Sequence, residues 1–180
     1  MAGVLESIRE EYTRYQALGS AAIAQLSDED VSRTSTVEGN SVAVLVWHIA
    51  GNFESRFTDF LTSDGEKPWR NRDSEFDARV VTHADVQARW DAGWQVLFAA
   101  VDGLSEAQLG ATVSVRGQSL SVDQALLRSL AHTAYHVGQI VFLAKQWRDD
   151  AWKCLTIPRG GSAAYNLAPD KERPPARDRR

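Results

Sequence analysis

The chain has 180 residues, 43% of them hydrophobic, which suffices for one domain with its own core. A net charge of −4 built from interspersed residues argues against nucleic acid or an anionic membrane as partner, and a lone cysteine, Cys154, excludes an intramolecular disulfide and a thiolate-rich zinc cluster. No stretch approaches the ~18 uninterrupted apolar residues of a membrane span, and Glu6, Arg9, Glu10 and Glu11 stand where a signal peptide needs its apolar run, so a soluble cytoplasmic protein is expected.

Leu5, Ile8, Tyr12, Tyr15, Gly19, Ala22 and Leu26 recur at steps of three and four and predict a first helix ending near Ser27-Asp28-Glu29-Asp30. A polar connector through Gly39-Asn40 leads to a second, largely buried helix over 41–62, marked by Val42, Leu45, Val46, Ile49, Phe53, Phe57 and Phe60. The connector over 63–81 is longer than helix links usually are, which points to a functional segment. Thr82 with Asp85 forms a capping-box pattern, and Val86, Trp90, Trp94, Leu97 and Val101 carry a third helix to Gly103. The alternation in Thr112-Val113-Ser114-Val115-Arg116, followed by Gly117-Gln118, predicts a short strand or hairpin. Ser121 with Gln124 opens a fourth helix that runs through Leu127, Leu130, Val137, Ile140 and Ala144 to about Trp147. Four long amphipathic helices predict an all-α fold, a four-helix bundle with long crossover connections and a short β-hairpin before the fourth helix. Residues 1–166 read as this domain, and the Pro-rich, charged residues 167–180 as a disordered tail.

His132 and His136 lie four apart on the fourth helix, about 40° apart around its axis, so one face presents both imidazoles. A third, His48, interrupts the apolar run Val44-Leu45-Val46-Trp47-His48-Ile49-Ala50. Each has an alternative as a core histidine bonded to a neighbouring acceptor, but three of the chain's four histidines occupy buried-looking helical positions. The fourth, His83, falls beside the predicted cap Thr82, where exposure is expected. Three imidazole nitrogens leave a coordination position open for water or substrate, the pattern of catalytic zinc more than structural zinc. No E-x-x-H occurs, Thr133 follows His132 in place of the glutamate of H-E-x-x-H, and the G-x-S-x-G, Walker and G-x-G-x-x-G motifs are all missing.

On the second helix Asn52 and Arg56 lie about 40° and 80° around from His48, and Asp59 returns close to the same direction, so all three can face the open side of the site. Arg56 suits a bidentate grip on a substrate carboxylate; the alternative is an interhelix ion pair. Trp69, Arg70, Arg72 and Asp73 suit an aromatic and cationic lid over an anionic ligand; the alternative is a solvated turn with Trp69 packed into the core. Arg159, before Gly160-Gly161, carries the same pair of readings.

The runs Val46-Trp47-His48-Ile49-Ala50-Gly51-Asn52 and Ala131-His132-Thr133-Ala134-Tyr135-His136-Val137-Gly138-Gln139-Ile140 resemble the DinB-like superfamily. Arg56-Phe57-Thr58-Asp59-Phe60-Leu61, the stretch Asp64 to Asp73, and Ile157-Pro158-Arg159-Gly160 resemble one branch of it, the DUF1572 group. The resemblance implies a crossover four-helix bundle with a metal site on His48, His132 and His136, one zinc or nickel ion, and frequent homodimers. It further implies an association with DNA damage, and relatives that are thiol-dependent transferases and isomerases using a low-molecular-weight thiol co-substrate. Three functions remain open at this point: a metal-dependent enzyme on a small molecule, a hydrolase or a thiol transferase; a metal- or ligand-binding stress-response protein without turnover; and a structural dimeric bundle. The residues offer no general base beside the ligands, and fold alone supplies no reaction.

Overall fold

The computed structural model describes residues 3–172. Four long helices form the body: α1 (Val4–Ile23), α3 (Val42–Phe57), α4 (His83–Asp102) and α5 (Val122–Arg148). Among the described residues two short helices, α2 (Asp28–Ser32) and α6 (Ser162–Tyr165), a hairpin of β1 (Thr112–Val115) and β2 (Gln118–Ser121), and three 3-10 turns complete the regular structure. Around the bundle α1 neighbours α4, α4 neighbours α3, α3 neighbours α5, and α5 returns to α1. The steps from α1 to α3 and from α4 to α5 are therefore diagonal, which is the crossover arrangement that long connectors permit.

The caps fall where the side chains dictate. Thr82 Oγ1 accepts the Asp85 N–H at 3.2 Å while Asp85 Oδ2 accepts the Thr82 N–H at 3.0 Å, and Gln124 Oε1 accepts the Ser121 N–H at 3.0 Å. Ser27-Asp28-Glu29-Asp30, expected to end the first helix, instead opens α2, because Ser27 and Asp30 satisfy each other's backbone N–H groups. The second long helix stops at Phe57, short of the expected residue 62, since Thr58 turns extended and Asp59 adopts a left-handed φ of 50°. Asp59 thus leaves the helical face shared with His48 and is exposed.

The core is built from Tyr12, Leu45, Ile49, Phe53, Trp90, Trp94, Leu97, Leu126 and Ile140, all fully buried. Gly93 sets the closest approach of α3 and α4: a Cβ there would lie 2.7 Å from the Ala50 Cα. The Tyr12 hydroxyl, buried between α1 and α5, donates to the Leu126 carbonyl at 2.9 Å. From Trp152 to Glu172 the chain runs along the surface, and Cys154 is exposed and free. Part of the segment expected to be disordered is placed: the Tyr165 hydroxyl donates to Glu172 at 2.6 Å and accepts the Lys171 N–H at 2.7 Å, while the rest of that expectation concerns residues 173–180, outside the described residues. Among the described residues no helix is long and apolar enough to cross a membrane.

The hairpin turns on Arg116 and Gly117, both with left-handed φ (55° and 70°), the requirement of the tight two-residue turn that matches strand twist. Asp64, from the long connector, holds this turn. Its carboxylate accepts from Ser114 Oγ at 2.5 Å and from the N–H groups of Gly117 (2.8 Å), Glu66 (2.7 Å) and Arg116 (2.8 Å). These bonds, the one from Ser114 foremost, hold the Asp64 carboxyl well below the ordinary carboxylate range. A depressed folded-state value means stability that is full above the unfolded value, near pH 4, and is lost as the pH falls further. The thermal midpoint of Asp64→Asn is therefore expected to lie below that of the wild type by a constant amount above about pH 5, with the gap closing below about pH 4. A gap that stays constant from pH 7 to pH 3 would refute this role.

Candidate metal centre

Three imidazoles from two helices, α3 and α5, converge. His132 Nε2 lies 3.1 Å from His48 Nε2 and 3.1 Å from His136 Nε2, and the three nitrogens all fall within 4.8 Å of one another. His48 projects from α3, and α5 delivers the other two one helical turn apart. His48 and His136 are buried and His132 is half-buried.

The proton inventory tests what this cluster can hold. His48 Nδ1 lies 2.8 Å from Glu75 Oε2, which can only accept, so Nδ1 carries the proton and a neutral His48 presents a lone pair at Nε2. His136 Nδ1 does the same toward Gln139 Oε1 at 2.9 Å. His132 Nε2 thus faces two lone pairs, and its single available proton can satisfy one of them at most. Burial, with the neighbouring imidazoles, Arg70 and Arg56 adding to it, pushes His132 down to about 3, and burial pushes His136 down to about 4. Both are neutral at physiological pH, so the cluster cannot be satisfied by protonating them. A cation at the convergence point satisfies all three nitrogens, and imidazole donors suit zinc and nickel. The residues fit one divalent ion.

The outer support is as specific as the donors. Glu75, in a single 3-10 turn (Asp73–Phe76), accepts from His48 Nδ1 and also from Arg70 Nε (2.8 Å) and Nη2 (3.0 Å). Burial pushes its carboxyl up, but the bonds from His48 and Arg70 outweigh that and hold it below its ordinary value. Gly51 on α3 makes room for it, since a Cβ there would collide with the Glu75 carboxylate. The histidine–carboxylate pair fixes the ring orientation and tautomer, the arrangement through which metal sites gain affinity. The cluster opens on a cavity of about 640 Å³, to which His48 and His132 both contribute wall.

The family described as "Protein of unknown function (DUF1572)" matches residues 2–161. The chain belongs to the DUF1572 family. A solved structure described as the conserved protein of locus from Enterococcus faecalis superimposes with a TM-score of 0.62 at 16% identity, covering 81% of this chain and 97% of that one. At that identity the likeness is one of fold. No curated protein matches the chain.

Within this DUF1572 bundle the other sequence-selected residues separate. Asn52, Arg56 and Arg72 line the cavity. Arg56 is also an internal ion pair: its guanidinium donates to the Gly65 carbonyl and to Glu66 Oε2 at 3.2 Å. Arg72 lies over the Phe76 ring at 4.9 Å and only 3.8 Å from Asp73. Trp69 is not brought to the cavity and neither lids it nor plugs the core; it is 57% exposed. Arg70, read as part of the same lid, is buried on Glu75 and contributes to the cavity lining from there. Arg159 is exposed and lines no part of the cavity. His83 is half-buried, with Nε2 3.1 Å from the Ile23 carbonyl, and stands apart from the cluster. Sequence reading missed Glu75, Gly51 and Arg128. For Arg128 a signal existed, since it precedes His132 by four residues and lies on the same helical face.

Proposed function

We propose that this chain is a divalent-metal-dependent enzyme of the DinB-like superfamily that acts on a small molecule. The observation that carries the reading is the convergence of three Nε2 atoms, two of them fixed as lone pairs by Glu75 and Gln139, beside a cavity of ligand size. A zinc or nickel ion held there supplies a Lewis acid at the cavity wall. The chain's own part is to orient His48 through Glu75, to keep His132 and His136 neutral by burial, and to line the cavity with both arginines and apolar side chains. A low-molecular-weight thiol co-substrate rests on the superfamily resemblance. A cytoplasmic location is part of the same proposal.

The test is turnover. Metal-loaded protein is expected to consume members of a panel of electrophiles and hydrolysable esters, with or without glutathione, bacillithiol or mycothiol, and His132→Ala is expected to be inactive on the same compounds. A second reading, a metal-dependent ligand-binding protein of the stress response without turnover, is favoured by one observation: among the described residues no Asp or Glu lines the cavity, so none of them offers a side-chain carboxylate there as a general base. Ligand binding with silence across the whole panel would establish that reading over the enzymatic one.

We further propose a homodimer. Leu127, Tyr135 and Phe142 fall within an 80° arc of α5 and are 51%, 59% and 69% exposed, an apolar stripe of the kind that a second copy covers. Sedimentation is expected to give a dimer for the wild type and a monomer for Phe142→Glu; a monomeric wild type at micromolar concentration would exclude it.

A further inference from the structure

The cavity beside the histidines is unusual in its charge. Among the described residues five arginines line the cavity, at positions 56, 70, 72, 116 and 128, and no carboxylate does. Behind them stand three counter-charges: Glu75 holds Arg70, Glu66 is shared between Arg56 (3.2 Å) and Arg116 (2.9 Å), and Asp73, itself almost wholly exposed, lies 3.8 Å from Arg72. Arg128 has neither an ion pair nor a hydrogen bond among the described residues. Two of the five guanidinium charges therefore lack compensation, before any metal ion adds its own.

Three details point to recognition. Arg70 is 2% exposed in its side chain, and its Nη1 has no partner, whereas Nε and Nη2 each donate to Glu75. A buried cationic donor left free at a cavity wall is a vacancy for an acceptor. Arg116 is held at the cavity rim in a left-handed conformation that a non-glycine residue adopts at a cost, and Asp64 maintains it there by accepting its N–H. Arg128 and His132 occupy successive turns of α5 on one face, so a group bound by Arg128 lies beside the imidazole cluster. Burial, with Arg70 and Arg116 adding to it, lowers the Arg56 guanidinium against the pull of Glu66, which marks the mutual repulsion within the wall. The lining also contains an apolar set, Phe57, Phe60, Val115 and Leu120.

We propose that the cavity binds an organic anion, a molecule whose carboxylate or phosphate is held by Arg128 with Arg70 and Arg116 while its apolar body lies against Phe57, Phe60 and Leu120. Arg56, committed to Gly65 and Glu66, shapes the wall and is not the grip. The proposal names the substrate class for the metal-dependent function above, and it rests on that reading only for what happens to the ligand after it binds.

The test uses the full chain in a low-salt, phosphate-free buffer, zinc-loaded and metal-free, with benzoate, phenyl phosphate, inorganic phosphate, benzyl alcohol and benzylamine as calorimetric probes. At least one of benzoate and phenyl phosphate is expected to bind about tenfold or more tightly than benzyl alcohol, because charge-assisted bonds to arginine add to the same apolar contact, and benzylamine is expected not to bind. Which of the two binds better assigns the anionic group as carboxylate or phosphate. Inorganic phosphate is expected to bind at least tenfold more weakly than phenyl phosphate; equal affinities would overturn the apolar half of the proposal. Arg128→Ala, at an exposed position, is expected to keep the fold and the zinc stoichiometry and to weaken the anion about tenfold, with Arg128→Lys between the two. Anion binding that is equal to that of benzyl alcohol, or that disappears with zinc while ignoring Arg128→Ala, would overturn the proposal by assigning recognition to apolar contact or to the metal alone. The two readings fail separately: zinc uptake without anion selectivity leaves the metal centre standing, and Arg128-dependent anion binding in a protein that takes up no metal leaves the anion site standing.

Discussion

Replacing His132 by alanine is expected to abolish tight zinc or nickel binding while His83→Ala leaves it unchanged. His132 is the shared neighbour of the cluster, its Nε2 being 3.1 Å from both other Nε2 atoms, so its loss removes one donor and separates the remaining pair. The loss of affinity should exceed the roughly 10–100-fold that removal of a supporting residue behind a metal ligand produces. Because a ligand that binds only the folded state raises the melting temperature by mass action, zinc should stabilise the wild type and His83→Ala but not His132→Ala. Since the half-buried His132 is already neutral, its deletion should cost little in the metal-free protein beyond lost packing. Metal titration followed by thermal melts reads both effects. Equal zinc stoichiometry in the two variants would remove the metal centre and the enzymatic reading with it.

The parts of the protein that local chemistry encodes were legible in its sequence. The four long helices follow from apolar spacing, two of their starts from Thr82 and Ser121, and the hairpin from alternation before Arg116-Gly117. The histidines were legible because a polar ring in an apolar helical run must have a partner. What escaped was long-range. Glu75 reaches His48 across 27 residues from a polar connector with no periodicity, so only the fold reveals that it orients the ring. Gly51 reads as an ordinary weak point of a helix until the Glu75 carboxylate is found where its Cβ would be. Asn52 and Arg56 were placed correctly around the α3 axis, whereas the extrapolation to Asp59 failed because the helix unwinds at Thr58. Trp69 and Arg70 show the limit for loops: neighbours in sequence, one is largely exposed and the other buried, and no residue-type argument distinguishes them.

Glu75→Ala is expected to weaken metal binding and destabilise the fold together, for separable reasons. The carboxylate is 9% exposed and serves His48 with one oxygen, while Arg70 engages both. Without it His48 loses the acceptor that fixes its tautomer, and metal affinity should fall about 10–100-fold. Arg70, whose side chain is 2% exposed, is left as a buried cation with no counter-ion, a loss of about 3–5 kcal/mol in stability. The two effects part company in the double variant Arg70→Met/Glu75→Leu, because replacing a buried ion pair by apolar side chains is often neutral or stabilising. That variant should recover most of the melting temperature in the metal-free state yet still bind zinc about 10–100-fold more weakly than the wild type, since no acceptor faces His48 Nδ1. Zinc binding restored together with stability would mean that Glu75 acts on the site only by holding the connector in place, and would reduce its bond to His48 to a packing contact.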